Sequence, residues 1–261
     1  MPIRALMQLV DEAFVLRTQP LGDADLIVSL LARTHGCVRG VARSARRSRK
    51  RFGGLLEPMT HVEACWSVKV GRDLHRIEQL EARHSYADMQ ADPTVQAVCG
   101  VMAEVGEAFG TEGGADDREF RLFGAVLAAL EAGCEPLLLL RYFEFWTLHL
   151  HGLLGDPQEC ASCGAPIERG TARSLNPDGG FRCEKCNDAS PDSARRLSRH
   201  EALWIDRLQR TPPDKLPHSR GVARPGGRLE QLFRHQLEGF SERRFRSYRH
   251  LRGSVAGEEP R

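Results

Sequence analysis

Residues 13–63 read AFVLRTQPLGDADLIVSLLARTHGCVRGVARSARRSRKRFGGLLEPMTHVE, and this stretch decides the fold. Its apolar residues come in short runs. Residues 12–18 (EAFVLRT) alternate in part, residues 25–33 (DLIVSLLAR) are more uniformly apolar, and residues 36–42 (GCVRGVA) open on glycine. Runs this short, bounded by turn residues, read as strands, although DLIVSLLAR also suits a short helix. Turn signals separate them at Leu21-Gly22-Asp23, His35-Gly36 and Gly53-Gly54.

Working outward, residues 56–68 and 74–82 add two more strand candidates, divided by Gly71-Arg72-Asp73. Five short strands in residues 12–83, with no long helix, suit a small barrel such as an OB-fold. An SH3-like barrel or a small sandwich fits the same pattern. After residue 84 the apolar period changes. Val95, Val98, Met102, Val105 and Phe109 mark an amphipathic helix, and residues 120–130 a second. Pro136 opens a third, as a first-turn proline does. There Arg141, Glu144, Thr147 and His151 form a polar stripe on an otherwise apolar, nearly surrounded helix, with Tyr142, Phe143, Phe145 and Trp146 as core. Ser198 to Glu201 fits a capping box. Residues 211–217 are a proline-rich loop, and residues 226–251 read as a last helical region. The expected division is 1–83 barrel, 84–157 and 188–252 helical domain, 158–187 inserted cysteine element and 253–261 disordered tail. The fold class is therefore α+β and multidomain: an N-terminal β-barrel, then an all-α part interrupted by a loop-rich segment that carries four cysteines.

Hydrophobic content of 41% and charged content of 28% read as globular, and a net charge of +2 gives no sign of a polyanion binder by itself. Arginine outnumbers lysine 33 to 4, either as compositional bias or because guanidinium suits bidentate phosphate contacts. No targeting segment is expected in residues 1–10. The longest apolar run, residues 137–154, is interrupted by Arg141, Glu144, His149 and His151, which argues against a membrane span. The expected compartment is the cytoplasm, where cysteines stay reduced.

Cys160-Ala161-Ser162-Cys163 and Cys183-Glu184-Lys185-Cys186 are two CxxC pairs with nineteen residues between them, the spacing of a zinc ribbon or knuckle. Four thiolates close the coordination, so the metal is expected to be structural, a single zinc ion. A redox dithiol would need one pair opening a helix after a strand, which the sequence does not suggest. Cys37, Cys65, Cys99 and Cys134 lie among apolar neighbours and read as packing residues.

Between Asp25 and Glu57 there is no acidic residue, and six of the nine residues 43–51 (RSARRSRKR) are basic. Crowded cations repel unless a polyanion relieves them, which makes a phosphate backbone the natural partner. The candidate contacts are Arg39, Arg43, Arg46, Arg47, Arg49, Lys50 and Arg51. Phe52 reads as a barrel plug in preference to a base-stacking face. A second basic cluster, Arg243, Arg244, Arg246, Arg249, His250 and Arg252, closes the last helical region and reads either as a basic helix end favoured by the dipole or as a second nucleic-acid surface. No Gly-Lys dipeptide, HExxH or GxGxxG occurs, so no P-loop, zincin or dinucleotide site is expected. Asp23, Asp25, Asp116 and Asp117 read as turn and cap residues, not as a nuclease site. The expected protein is not an enzyme.

These parts together resemble the RecO family. The resemblance rests on the Gly-x-x-Asp turn at Gly22 to Asp25, the His35-Gly36 turn, the basic run, Arg51-Phe52-Gly53-Gly54 leading to Leu56-Glu57-Pro58, and residues 139–154 (LLRYFEFWTLHLHGLL). It implies an OB-fold, a helical domain with a zinc insert, and a mediator of DNA repair and recombination. It also implies binding of single- and double-stranded DNA, annealing without ATP, association with RecR and single-strand-binding protein, and help in loading RecA. Zinc carries over to Cys160, Cys163, Cys183 and Cys186. Other readings of the same residues are a zinc-ribbon RNA-binding or transcription factor, a nuclease, and a scaffold whose basic loop docks an acidic protein.

Overall fold

The computed structural model describes residues 7–68, 74–110, 116–187, 195–218 and 227–251. The side chains of Arg49 and Lys50, the turn at 71–73, Arg252 and the tail 253–261 lie outside the described residues. The chain divides into two compact units: residues 1–127 with 246–261, and residues 128–245.

The first unit begins with strands β1 (Met7–Leu21), β2 (Asp25–Ala32) and β3 (Gly36–Ala42), then a single helical turn, α1 (Arg49–Phe52), and strands β4 (His61–Val68) and β5 (His75–His84). The strands close into a barrel in the order β1-β2-β3-β5-β4. β1 is long enough to pair with both β2 and β4, and its register shifts between Val15 and Arg17, where the strand bends. Closure comes from a short parallel pairing of β3 with β5 at Gly40, Val41 and Ala42. A Cβ on Gly40 would fall 2.7 Å from Ile77 Cδ1, so glycine lets the two strands meet. The interior holds Val15, Val28, Leu30, Val38, Trp66 and Ile77, with Phe52 of α1 plugging it at 1% exposure.

The run DLIVSLLA is thus a strand and not a helix. The fourth strand starts only at His61, because Gly54 and Met59 take positive φ values of 79° and 67° and the intervening chain turns. A 3-10 turn (Asp88–Ala91) leads to α2 (Pro93–Phe109), capped by Asp92 through Thr94 N, and then to α3 (Arg118–Glu131). Phe14 of β1 meets Phe120 and Phe123 of α3 at centroid distances of 4.8 and 5.3 Å. The chain returns at Ser247, whose N–H donates to Glu104, and buries Tyr248 and Leu251.

The second unit holds α4 (Pro136–Leu150), β6 (Arg173–Leu175), β7 (Phe181–Arg182), α5 (Glu184–Asn187), β8 (Arg196–Leu197), α6 (Arg199–Arg210) and α7 (Gly227–Ser241). β7, β6 and β8 form a small sheet in that order within a region expected to be loop. Arg141, Glu144 and Thr147 of the polar stripe are buried, and His151 is half-buried; Arg141 donates to Glu144 at 2.6 Å and reaches Glu230 of α7 at 3.5 Å. Ser198 and Glu201 form the expected capping box on α6. The last helical region is not continuous. α7 stops at Ser241, whose hydroxyl donates to Leu237 O, and Glu242 takes a φ of 53°, so Arg243 and Arg244 lie in irregular chain and not on a helix face. Among the described residues no helix is long and apolar enough to cross a membrane.

Candidate metal centre and nucleic-acid interface

The sulfurs of Cys160, Cys163, Cys183 and Cys186 all lie within 4.8 Å of one another, and those of Cys163 and Cys183 are 4.0 Å apart. Four sulfurs at about 2.3 Å from a common centre would be about 3.8 Å apart, so one tetrahedral ion fits with small adjustment. Local backbone chemistry builds the first half. Gly164 takes a φ of 68° and its N–H donates to Cys160 O at 2.8 Å, folding the first CxxC into a tight turn. Cys160 N donates to Ala165 O, and Ala161 N donates to Phe181 O, which brings the second pair alongside. Cys183 N then donates to Cys160 Sγ at 3.4 Å.

The donor set itself asks for a cation. Burial opposes ionisation of Cys160, but backbone N–H groups of Cys183, Cys163 and Ser162 outweigh it and bring the thiol down to about 6. Cys186 moves the other way, to about 12, held protonated by hydrogen bonds to Cys163 and Cys183 and by burial. Four adjacent thiolates are tolerable only around a positive ion, so the residues present can hold a metal. The cluster is seated by a buried pair that sequence reading missed. Arg173 grips Asp206 of α6 through two contacts of 3.1 Å and donates to Pro157 O at 2.6 Å, while Gly170 N donates to Asp206 at 2.9 Å. The partners are 33 residues apart, so no local pattern announces them.

The basic loop folds back on the β1–β2 turn. Ser44, at a φ of 54°, donates its N–H to Asp25 at 2.8 Å, and Arg46 N donates to Ala24 O at 3.1 Å. Ser48 N and Arg47 N both donate to Ser44 O. Arg51 Nη2 donates to Arg43 O at 2.7 Å, and its guanidinium lies 5.0 Å from the Phe52 ring centroid. Arg39, Arg43, Arg46 and Arg47 are exposed, and among the described residues none makes an ion pair with a carboxylate. Asp25 therefore shapes the loop. Asp116 accepts from Arg118 N, and Asp117 pairs with Arg121, which are cap roles at the start of α3.

A five-stranded barrel whose loop arginines pair with no carboxylate among the described residues, and a helical unit with four cysteines able to hold a metal ion, define a class of two-unit protein. The chain belongs to the recombination protein O family: the model for that family's N-terminal part matches residues 7–86 and the model for its C-terminal part matches residues 90–249. It is similar to the DNA repair protein RecO of Koribacter versatilis (strain Ellin345), at 37% identity over 157 residues, 60% of this chain and 64% of that one. It is also similar to the proteins of that name from Anaeromyxobacter sp. (strain K), at 35% over 177 residues (68% and 70%), and Thermobifida fusca (strain YX), at 36% over 183 residues (69% and 73%). The matched stretch thus spans just under two thirds of the first of these relatives and somewhat more of the others.

Proposed function

We propose that this chain is a DNA-binding recombination mediator in DNA repair, without catalytic chemistry of its own. The observation that carries the reading is the loop at residues 43–48: ordered by Asp25, and presenting arginines with no carboxylate partner among the described residues. Free cations held in a fixed arc neutralise successive phosphates and release counterions, so binding weakens with salt. Neutralised strands repel each other less, and two complementary strands then pair by their own stacking. No ATP is required for that step.

In this reading residues 1–83 are an OB-fold that takes single- and double-stranded DNA through Arg39, Arg43, Arg46, Arg47, Arg49, Lys50 and Arg51. The helical stretch 84–157 and 188–252 frames the insert 158–187, where Cys160, Cys163, Cys183 and Cys186 hold one zinc ion. The zinc supplies a closed structural cross-link and no open position for a substrate water. The protein works in the cytoplasm, at the nucleoid, with RecR and single-strand-binding protein, and assists RecA loading. Family membership and the name its relatives carry support the repair role.

The test is annealing of two complementary oligonucleotides by the purified chain, without nucleotide and across a salt range. Acceleration that fades as salt rises supports the reading. Tight binding without acceleration would replace it with a plain nucleic-acid-binding factor.

A further inference from the structure

The helix α6 turns its carboxylates inward and its cations outward. Glu201 is spent on the capping box and Asp206 on Arg173, and both are buried. The exposed residues of the helix are Arg199, His200, Leu203, Arg207 and Arg210, all basic or apolar. At about 100° per residue they fall within an arc of about 100°, and from Arg199 to Arg210 they extend about 16 Å along the axis. Among the described residues, none of the three arginines makes an ion pair with a carboxylate.

The helix macrodipole does not explain the arrangement. Arg207 and Arg210 sit in the last turn, where cations are favoured, but Arg199 and His200 open the helix, where they are not. Arg207 is also held in place: its guanidinium lies 5.1 Å from the centroid of the Trp204 ring, whose Nε1 donates to His200 Nε2 at 3.2 Å. A stacked guanidinium keeps its edge donors available while losing rotamer freedom, so it binds phosphate at a lower entropic penalty.

We propose that this face of α6 is a second phosphate-binding surface, which takes the backbone of a single nucleic-acid strand. The choice of polyanion rests on the DNA-binding role proposed above. Leu203, 55% exposed at the middle of the arc, offers an apolar contact for a sugar or base. A protein with two such surfaces can retain one strand while it captures another.

The test uses the full chain and labelled single-stranded oligonucleotides. The triple variant Arg199→Gln, Arg207→Gln, Arg210→Gln keeps helix propensity, and its salt dependence should fall by about 0.7 for each phosphate no longer neutralised, or about two in all. Independently, p-benzoylphenylalanine in place of Leu203 should crosslink to the oligonucleotide on illumination. An unchanged slope with no crosslink, in a chain that still binds and anneals DNA, overturns this surface and leaves the proposed function standing. A crosslink without annealing upholds the surface and overturns the function. A crosslink to poly-glutamate but not to DNA assigns the face to an acidic protein instead. No DNA binding by the unaltered chain removes both.

Discussion

The carboxylate of Asp25 accepts the backbone N–H of Ser44 at 2.8 Å, so the last acid before a stretch of thirty-one residues without one holds the basic loop in shape. Removing that negative charge relieves Coulomb repulsion of the phosphates and tightens binding, whereas removing the anchor loosens the loop and weakens it. The two effects have opposite signs. Asp25→Asn keeps an acceptor and removes the charge, and should tighten DNA binding. Asp25→Ala removes both, costs about 1 kcal/mol of loop order, and should bind more weakly than the Asn variant. Hydrogen exchange at Ser44 reads the anchor directly: it should rise in the Ala variant alone.

Replacing Arg46, Arg47, Arg49 and Arg51 together with Ala should reduce the salt slope of single-strand binding by about 0.7 for each phosphate that loses its cation. An unchanged slope, measured by titration at several salt concentrations, would exclude the loop from the site.

The purified chain should contain one zinc equivalent by elemental analysis, and Cys163→Ser should lose it. Acid should release the metal, because protons compete for the thiolates. Exchange protection of the Gly164 and Cys183 amides should disappear with the zinc while that of the barrel strands stays. Protection that survives zinc removal would mean that the backbone hydrogen bonds suffice to hold the knuckle.

Asp206→Asn leaves Arg173 buried, at 0% exposure, without its countercharge. Breaking a buried pair in this way costs about 3–5 kcal/mol. Calorimetry of the variant should show a large fall in the melting temperature of the unit that carries the metal knuckle. A shift within error would mean that the carbonyl contacts of Arg173 to Pro157 O at 2.6 Å and Thr171 O at 3.4 Å satisfy the guanidinium alone.

Asp11 accepts from Thr34 N, Thr34 Oγ1 and His35 Nδ1. Burial pushes its carboxyl up, but these hydrogen bonds prevail and leave it below its ordinary 3.8. A carboxyl depressed on folding contributes stability that is present above 3.8 and lost as pH falls through the lowered value. The melting temperatures of the wild type and Asp11→Asn should therefore differ near neutral pH and converge in acid. A gap that stays constant down to about pH 2.5 would show that folding does not lower the Asp11 carboxyl.

The strands, the cysteine knuckle and the capping box of α6 were legible because each is specified locally. Glycine at Gly36 and Gly164 sits where the backbone needs a positive φ, and CxxC spacing alone fixes two thiols on one turn. The face of α6 was also within reach, since Arg199, Leu203, Arg207 and Arg210 are helically spaced, but its meaning depends on knowing that Glu201 and Asp206 point inward. The end of α7 at Glu242 was not legible, since glutamate carries no signal for a left-handed residue.

The sequence by itself determined the main turns, the change from strand period to helix period after residue 84, and which four sulfurs can meet one ion. Those properties follow from short-range sterics and side-chain period. The tertiary structure alone decided that Asp25 shapes the loop, that Arg141 reaches Glu230 of α7, and that Arg173 grips Asp206. In each case a charge lies close to its partner only after the intervening chain has packed. Burial then sets what the contact is worth, and no spacing in the sequence encodes burial.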